Sequence, residues 1–254
     1  MGQIIAVVNQ KGGVGKTTTA VNITAALTGM GNRVLLCDFD PQANATSGMG
    51  VNKNKCAASI YDVIINGRDA ASTVVHTRYG DVLPSGSALA GAGVELTSVE
   101  ERSFALRQAL EALRGNYDYI FVDCPPSLEL LTLNGLCASD SILVPVQCEY
   151  YALEGLSDLM ATLRGVKRSL NPKLHIFGVL LTMFDGRTNF SMQVAEEVRR
   201  HFPGKVFATV IPRNVRLAEA PSHGLPVTAY DKASRGADAY VRLAKEIDRR
   251  RSGL

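Results

Sequence analysis

The sequence reads Asn9-Gln10-Lys11-Gly12-Gly13-Val14-Gly15-Lys16-Thr17-Thr18-Thr19 near its start, between an apolar run at 4–8 and a helical pattern at 17–27. Strand, glycine-rich loop, Lys-Thr and helix follow each other in the order that a phosphate-binding loop requires. Glycines let backbone N–H groups turn toward an anion, and the helix N-terminus adds partial positive charge. We therefore predict a triphosphate site, with Lys16 on the β- and γ-phosphates and Thr17 on Mg²⁺.

This loop departs from the usual pattern at two positions. The motif G-x-x-x-x-G-K-[ST] begins with a glycine where this chain has Gln10, and Lys11 adds a second lysine inside the loop. A cation there would lie beside the phosphates, where charge develops during phosphoryl transfer. We predict that the nucleotide is held by the following residues: Lys11, Gly12, Gly13, Val14, Gly15, Lys16, Thr17 and Thr18.

Strand-like and helix-like segments alternate along the chain. The strand predictions are 4–9, 33–40, 81–84, 119–124, 141–147, 176–182 and 206–211. The helix predictions lie near 17–29, 98–114, 128–138, 152–170, 191–202 and 234–250. Most strand candidates are continuous Val/Ile/Leu runs, which is typical of parallel strands buried on both faces. The pattern predicts an α/β fold with a doubly wound, mostly parallel sheet, formed by a single domain over residues 1–254.

Three carboxylates follow two of the predicted strands. Asp38 and Asp40 end the second strand at alternate positions, and Asp123 ends the apolar run Tyr119-Ile120-Phe121-Val122. Ligands of such sheets bind beyond the carboxyl ends of the strands, so all three should face the phosphate loop. Four apolar residues and an Asp form the Walker B arrangement, which places Asp123 near Mg²⁺. Asp40 is predicted to orient the attacking water, and Asp38 to support Mg²⁺ through water.

Composition narrows the class of protein. The chain has 254 residues, 46% of them hydrophobic, and a net charge of +3. Its five scattered cysteines include no C-x-x-C pair, so we expect reduced thiols in a cytosolic protein and no zinc site. No apolar run approaches the length of a membrane span, and because a strand begins by Ile4, we expect no signal peptide.

The charge is unevenly distributed along the chain. Residues 187–254 carry 13 Lys/Arg against 7 Asp/Glu, while the preceding 186 residues carry 14 against 17. A basic C-terminal third suggests a surface that faces a polyanion, although solvated helix faces would give the same count.

Together, the sequences around the loop and the strand ends resemble the ParA/MinD group of P-loop ATPases. They are KGGVGKTT at 11–18, DFDPQAN at 38–44 and DCPP at 123–126. Further segments narrow the resemblance to the ParA/Soj partitioning branch: ATSG at 45–48, PVQCEYYALEG at 145–155, LTMFD at 181–185 and VIPRNVRLAEAPSHG at 210–224. The resemblance covers essentially the whole chain.

The resemblance implies an ATP-dependent homodimer that binds double-stranded DNA without sequence preference and is reset by hydrolysis. A ParB-like centromere-binding partner would stimulate that hydrolysis, with ATP and Mg²⁺ as ligands. Lys11 matches the group's signature lysine, which reaches the nucleotide of the other subunit. Pro212 and Asn214 match positions near the adenine, and Arg187 and Arg216 match arginines that contact DNA. Such a protein would be cytoplasmic and associated with the nucleoid, with slow intrinsic turnover.

Three alternatives remain open from the sequence. A MinD-like membrane switch would need a membrane-binding helix, and the apolar positions of 237–247 have helical spacing, although such a stripe is more often docked on its own domain. A nitrogenase-reductase-like carrier would need a cluster cysteine where this chain has Leu130. A non-hydrolysing scaffold is the third. Some plasmid relatives carry an N-terminal DNA-reading extension, which we do not expect here. The sequence leaves open whether the cargo is a chromosome, a plasmid or another body.

Overall fold

The fold is built on a sheet of six parallel strands. The structure is a computed structural model that describes residues 2–96, 101–149 and 152–253, with backbone alone for 152–155. The strands are β1 (Gln3–Val7), β2 (Val34–Asp38), β3 (Asp81–Leu83), β4 (Tyr119–Asp123), β5 (Ser141–Gln147) and β6 (His175–Thr182). Their spatial order is β3-β2-β4-β1-β5-β6. The order reverses beside β1, so the chain winds outward in both directions. This confirms the predicted doubly wound α/β fold.

Helices connect the strands and cover both faces of the sheet. Within the described residues they are α1 (Lys16–Gly29), α2 (Asn44–Gly48), α3 (Ile60–Ile64), α4 (Leu89–Glu95), α5 (Ala105–Leu113), α6 (Leu130–Ala138), α7 (Ala152–Ser169), α8 (Asn189–His201), α9 (Val215–Glu219), α10 (Val227–Tyr230) and α11 (Arg235–Ser252). The six predicted helices are present. The predicted start of α5, at 98–100, and the motif residues Tyr150 and Tyr151 lie outside the described residues. The short helices α2, α3, α4, α9 and α10 were not predicted.

Each inner strand is buried on both faces. In β1, Ile4 and Ala6 pack into one hydrophobic cluster, while Ile5 and Val7 pack into a second cluster on the opposite face. Successive side chains of a strand point to opposite faces, which is why the sequence shows an unbroken apolar run rather than alternation. Burying one such aliphatic side chain stabilises the fold by about 1.5–3 kcal/mol.

The last helix, α11, is docked on its own sheet. Its residues Ala237, Tyr240, Ala244 and Ile247 are buried in the same cluster as α1. The Tyr240 hydroxyl shares a buried hydrogen bond of 3.1 Å with Thr19 of α1. This confirms the interpretation of the stripe as a docked face. Among the described residues, no helix combines the length and apolar character needed to cross a membrane.

The prediction of a seventh strand at 206–211 is wrong. The segment follows the outer edge of β6, with backbone bonds from Phe207 N to Val179 O and from Ile211 N to Leu181 O, both 2.9 Å. Between them the ladder is broken, because the amides of Ala208 and Thr209 donate instead to the Glu246 carboxylate of α11, at 2.8 and 2.9 Å. A side chain distant in sequence thus takes the amide hydrogen bonds that a strand would have used.

Candidate nucleotide site

The loop between β1 and α1 is held in an open turn. Gly13 and Gly15 have φ of 74° and 89°, the left-handed region that residues with a Cβ rarely adopt. The Thr182 hydroxyl donates to Val14 O at 2.8 Å, and Asn9 bridges Pro145 O and Lys11 N at 2.8 and 3.0 Å. Side chains at the ends of neighbouring strands therefore fix the loop before any ligand arrives. Neither Asn9 nor Thr182 was singled out from the sequence, although each directly follows or ends a predicted strand.

The two lysines of the loop have different environments. Lys16 is buried, and its Nζ donates to the carbonyl of Lys11 at 3.0 Å. Burial lowers the pKa of Lys16, while the nearby carboxylates of Asp123 and Asp40 oppose that shift. The side chain of Lys11 is half-exposed and pairs with no carboxylate in the described part of the chain. Lys16 can therefore serve the subunit's own loop, and Lys11 is free to act outside it.

Gln10, the residue that replaces the usual glycine, links the loop to α7. Its Nε2 donates to Asp158 Oδ2 at 2.9 Å. A glycine could not make this contact, so the departure from the motif also has a structural consequence.

Asp38 organises the turn that follows β2. Its carboxylate accepts hydrogen bonds from Thr46 N and Thr46 Oγ1, both at 2.7 Å, and from Asp40 N at 3.3 Å. Burial raises the pKa of Asp38 to about 6 in spite of these hydrogen bonds. With both oxygens engaged by protein groups, Asp38 fixes the position of Asp40. Its support of Mg²⁺ through water stays a prediction.

Asp40 lies just beyond β2 in a braced turn. Its backbone carbonyl accepts from Ser85 Oγ at 2.7 Å, and its Oδ1 accepts from Gln42 N at 2.9 Å. The residue is 8% exposed, which leaves its carboxylate at the edge of the crevice rather than sealed within it. Ser85, which the sequence did not flag, and Thr46, noted only as part of the family motif at 45–48, brace the turn that carries this side chain.

Asp123 is the most unusual side chain of the site. It is fully buried at the end of β4, in register with Asp38 of β2 and Val7 of β1, and neither carboxylate oxygen accepts a hydrogen bond from a described residue. Burial and the charge of Asp38 raise the pKa of Asp123 well above the usual range. Two neighbours act in the opposite direction: the charge of Lys16, and Thr17, which lies close without completing a well-directed hydrogen bond. Buried polar groups are nearly always satisfied, so an orphaned carboxylate indicates that a group is meant to bind there.

This donor set fits a divalent cation carried in with a phosphate. No cluster of three or more His, Cys, Asp or Glu residues in the described ranges could hold a metal by itself. Mg²⁺ commonly keeps several waters and binds through one or two carboxylates together with substrate phosphates. Asp123 beside Thr17 offers that arrangement.

Replacing Asp123 with asparagine should raise the Tm of the nucleotide-free protein by several degrees. The raised pKa of Asp123 means that, at neutral pH, folding must protonate this carboxyl at a cost in stability, and asparagine removes that cost. About 1 kcal/mol corresponds to about 2–4 °C for a domain of this size. Asp38→Asn is the matched control, since it loses an acceptor for Thr46 and should lower Tm. Thermal unfolding of both variants without nucleotide measures this, and a lower Tm for Asp123→Asn would contradict it.

An apolar cavity of about 370 Å³ adjoins the loop. Its lining includes Thr18, Met183, Pro212, Asn214 and Leu217. The Asn214 side chain caps α9 by accepting from Arg216 N at 3.0 Å. The two residues predicted near the adenine, Pro212 and Asn214, therefore do lie next to the phosphate loop, although 194 or more residues separate them from it in the chain.

The two arginines predicted to contact DNA line neither the phosphate loop nor the apolar cavity beside it. Arg187 is 90% exposed at its side chain and binds Asp185 through two hydrogen bonds of 2.9 and 2.7 Å, which lower the pKa of Asp185 to about 2. Arg216 pairs with Glu219 at 2.8 Å and with Asp231 at 3.2 Å. Arg187 lines one cleft with Pro212, and α9, which carries Arg216, begins three residues later. Both are thus already paired with carboxylates.

The cysteines do not form the site of an iron–sulfur carrier. Cys37, Cys124, Cys137 and Cys148 are buried free thiols, and Leu130 opens α6. Burial raises the pKa of Cys137 and of Cys148 to about 11, which keeps both thiols protonated.

Comparison with known proteins places the chain among P-loop ATPases. A family profile described as an AAA domain matches residues 2–176. The chain is 57% identical over 249 residues to the sporulation initiation inhibitor protein Soj of Bacillus subtilis, covering 97% of this chain and 98% of the relative. It is 51% identical over 252 residues to the chromosome partitioning protein ParA of Myxococcus xanthus, covering 98% and 89%. A crystal structure from Mycobacterium smegmatis, named cobyrinic acid a,c-diamide synthase with bound ADP and magnesium, superposes with a TM-score of 0.88 at 38% identity, covering 100% and 97%.

Proposed function

Because this chain belongs to the ParA/Soj family of partitioning ATPases, we propose that it binds ATP with Mg²⁺, hydrolyses it slowly, and uses the cycle to segregate DNA. The observation that supports this most directly is the buried carboxylate of Asp123 beside Lys16 and Thr17, which accepts no well-directed hydrogen bond from any described residue. A buried carboxylate in this position is expected to interact with a bound ligand, here the nucleotide with its Mg²⁺. The ATPase is proposed to be one domain spanning 1–254.

We infer that the phosphates are held by the backbone amides of 11–18 and by Lys16. To reach them, the Lys16 ammonium exchanges the Lys11 carbonyl for phosphate oxygens, which needs only a local movement of a side chain that is already desolvated. Thr17 would hold the Mg²⁺ directly, and Asp123 and Asp38 would support it through water. Bound there, the ion would supply positive charge against the charge that develops on the phosphates. The adenine occupies the apolar cavity beside Pro212 and Asn214.

Asp40 is proposed to position the attacking water. Its turn is tied down by Ser85 and, through Thr46, by Asp38, so its carboxylate is held in place before the nucleotide binds. Preorganised groups cost no reorganisation during the reaction. No glutamine was identified in the sequence for this task, which agrees with a slow intrinsic rate.

Lys11 is proposed to act on the nucleotide of a second subunit in an ATP-bound homodimer. Its side chain is half-exposed and, among the described residues, has no carboxylate partner to hold it in its own subunit. A dimer joins the basic surfaces of two subunits, so ATP binding would control DNA binding through avidity.

The DNA contact is proposed to run through Arg187 and Arg216 of both subunits. Arginine contacts with phosphates give binding that is sensitive to salt and tolerant of sequence. A ParB-like centromere-binding partner would then stimulate hydrolysis and release the dimer. In the cell this protein would be cytoplasmic and located on the nucleoid while ATP-bound.

The Arg187→Gln/Arg216→Gln variant should bind duplex DNA at least about tenfold more weakly, with a salt slope reduced by about 1 for each cation removed from the contact. The Asp185 and Glu219 carboxylates keep their places, so folding and nucleotide binding should not change. Fluorescence anisotropy with a duplex of random sequence, a non-hydrolysable ATP analogue and Mg²⁺ measures the effect. Arg33→Gln, an exposed arginine paired with Asp118 far from this surface, is the matched control.

The cycle itself is tested by measuring ATP hydrolysis with DNA, with a ParB-like protein from the same genome, with both and with neither. Stimulation that requires DNA and the partner together supports partitioning. If neither DNA nor the partner changes the rate of hydrolysis, the protein would be an ATPase with another role, such as a ParA-like positioner of non-DNA cargo. Co-sedimentation with liposomes tests a MinD-like role, which the burial of the apolar face of α11 argues against.

A further inference from the structure

A wide concave site lies away from the phosphate loop, where three segments of the chain meet. It has a volume of about 690 Å³ and is lined by residues of 49–57, 75–79 and 223–225. We call it the basic cleft, after its residues Lys55, His76, Arg78 and His223. None of the roles proposed above involves it, although His223 and Gly224 belong to the motif at 210–224 that carries the family resemblance.

Two basic side chains of the cleft, Lys55 and Arg78, have no carboxylate partner among the described residues. None of its lining residues is an Asp or Glu. His76 pairs with Asp81 at 2.9 Å, but Lys55 and Arg78 have no ion pair with any described residue. Arg78 instead lies over the ring of Tyr79, 4.8 Å from its centroid, which leaves the edge of the guanidinium free to donate. This differs from Arg187 and Arg216, which are both held by carboxylates.

A hydroxyl among the lining residues also lacks a partner. The Tyr79 OH is buried and makes no hydrogen bond with any described residue. A buried, unsatisfied hydroxyl is uncommon in a native structure. Because this hydroxyl is not exposed and the Tyr79 ring packs against the hydrophobic cluster beneath it, the donors that a ligand in the cleft can reach are those of the cationic side chains.

The basic cleft is continuous with the surface that carries Arg216. His223 stacks on Tyr230 with ring centroids 4.9 Å apart, and the Tyr230 hydroxyl donates to Glu219 at 3.2 Å. Glu219 in turn holds Arg216 at 2.8 Å. A chain of direct contacts therefore joins the wall of the cleft to the proposed DNA contact.

We propose that the basic cleft binds backbone phosphate of the same DNA duplex, as a second phosphate contact of each subunit beyond Arg187 and Arg216. This inference rests on the proposed function. A phosphate that reaches Arg187 or Arg216 must compete with a carboxylate already bound there. A phosphate that reaches Lys55 or Arg78 has no protein carboxylate to displace. Each such contact should therefore contribute its full share to the decrease of DNA affinity with rising salt concentration. We expect no preference for a DNA sequence at this contact. The cleft offers hydrogen-bond donors to phosphate oxygens, and no part of it must enter a groove where bases are read.

The test uses the Lys55→Gln/Arg78→Gln variant of the full chain, bound to a non-hydrolysable ATP analogue and Mg²⁺. Its affinity for a random-sequence duplex should fall about tenfold at moderate salt, with a salt slope smaller by at least about 1. Arg168→Gln/Lys173→Gln is the matched control, because it removes two exposed cations near the amino end of β6, at the opposite end of the strands from the phosphate loop. The control should keep the wild-type affinity and slope.

Further measurements on the same and related variants make the result decisive. Basal ATP hydrolysis and ATP-dependent dimerisation of the double variant should equal those of the wild type, and Arg78→Lys, which keeps the charge, should keep the wild-type slope. If the double variant fails to fold, Lys55→Gln by itself should reduce the slope. An affinity and slope equal to those of the control would overturn the inference while leaving the proposed function intact. Failure of the wild-type ATP-bound protein to bind any duplex would overturn both.

Discussion

Replacing Asp40 with alanine should lower the rate of ATP hydrolysis by about 100-fold or more, since a positioned group that guides proton transfer contributes about 10²–10⁴. Nucleotide binding should persist, because Lys16, Thr17 and the loop amides are untouched. The variant would therefore remain in the ATP-bound form, and its dimer should stay on DNA far longer than the wild-type dimer.

The structure explains why this substitution is a clean test. The turn is held by Ser85 through the backbone carbonyl of Asp40 and by Asp38 through Thr46, so those contacts survive in the variant. The contact that is lost is the one from Gln42 N to Oδ1. Asp40→Asn retains an acceptor for that amide and removes the charge, so it should be nearly as slow as Asp40→Ala. Steady-state phosphate release and the DNA dissociation rate are the measurements. Near-normal hydrolysis by either variant would exclude Asp40 as the group that positions water.

Replacing Lys11 with alanine should spare nucleotide binding and reduce hydrolysis by about 10³-fold, the lower range for a cation supplied in trans to a phosphoryl-transfer site. Dimerisation or the stability of the dimer on DNA should fall with it. Lys16→Ala should instead abolish nucleotide binding, because Lys16 is the buried cation of the subunit's own loop. Titration with a fluorescent ATP analogue separates the two variants. If Lys11→Ala binds nucleotide as poorly as Lys16→Ala, the two lysines serve the same site.

Mixing two inactive variants tests whether Lys11 acts across the dimer. In a heterodimer of Lys11→Ala with Asp40→Ala, the Lys11→Ala subunit keeps its own Asp40 and receives Lys11 from its partner. One complete site is then restored, so hydrolysis should recover to a fraction set by random pairing of subunits. The proteins are mixed before ATP is added, since the Asp40→Ala dimer is expected to exchange slowly. If Lys11 acted within its own subunit, both sites of the heterodimer would be defective and no activity would return.

Where predicted elements failed, a distant side chain was responsible. The apolar segment 206–211 looks like a strand, and its two ends do bond to β6, but Glu246 takes the two amides between them. Local pattern cannot reveal a carboxylate that reaches the segment from α11. The short helix α10 also depends on a distant side chain, because Val227 N at its start donates to Asn22 Oδ1 of α1 at 2.7 Å. Helix α9 begins at a local cap instead, where Asn214 Oδ1 accepts from Arg216 N.

The candidate site divides in a similar way. The positions of Lys16, Thr17, Asp38, Asp40 and Asp123 were predictable, because the ends of parallel strands meet at one edge of a sheet. The groups that hold them were not. Each of the supporting contacts joins segments that are far apart in the chain: Asn9 with Pro145, Thr182 with Val14, and Ser85 with Asp40.

The sequence by itself determined the six strands of the sheet, the long helices and the residues that meet at the phosphate loop, because glycine spacing and apolar periodicity are local properties with a restricted set of backbone solutions. The family was indicated by the resemblance of its motifs. The tertiary structure decided the rest. It left the Asp123 carboxylate buried without a partner, committed the oxygens of Asp38 to a turn, and paired Arg187 and Arg216 with carboxylates while leaving Lys55 and Arg78 unpaired within the described residues. Burial and pairing depend on which side chains from remote segments approach each other, and that is fixed only when the chain has packed.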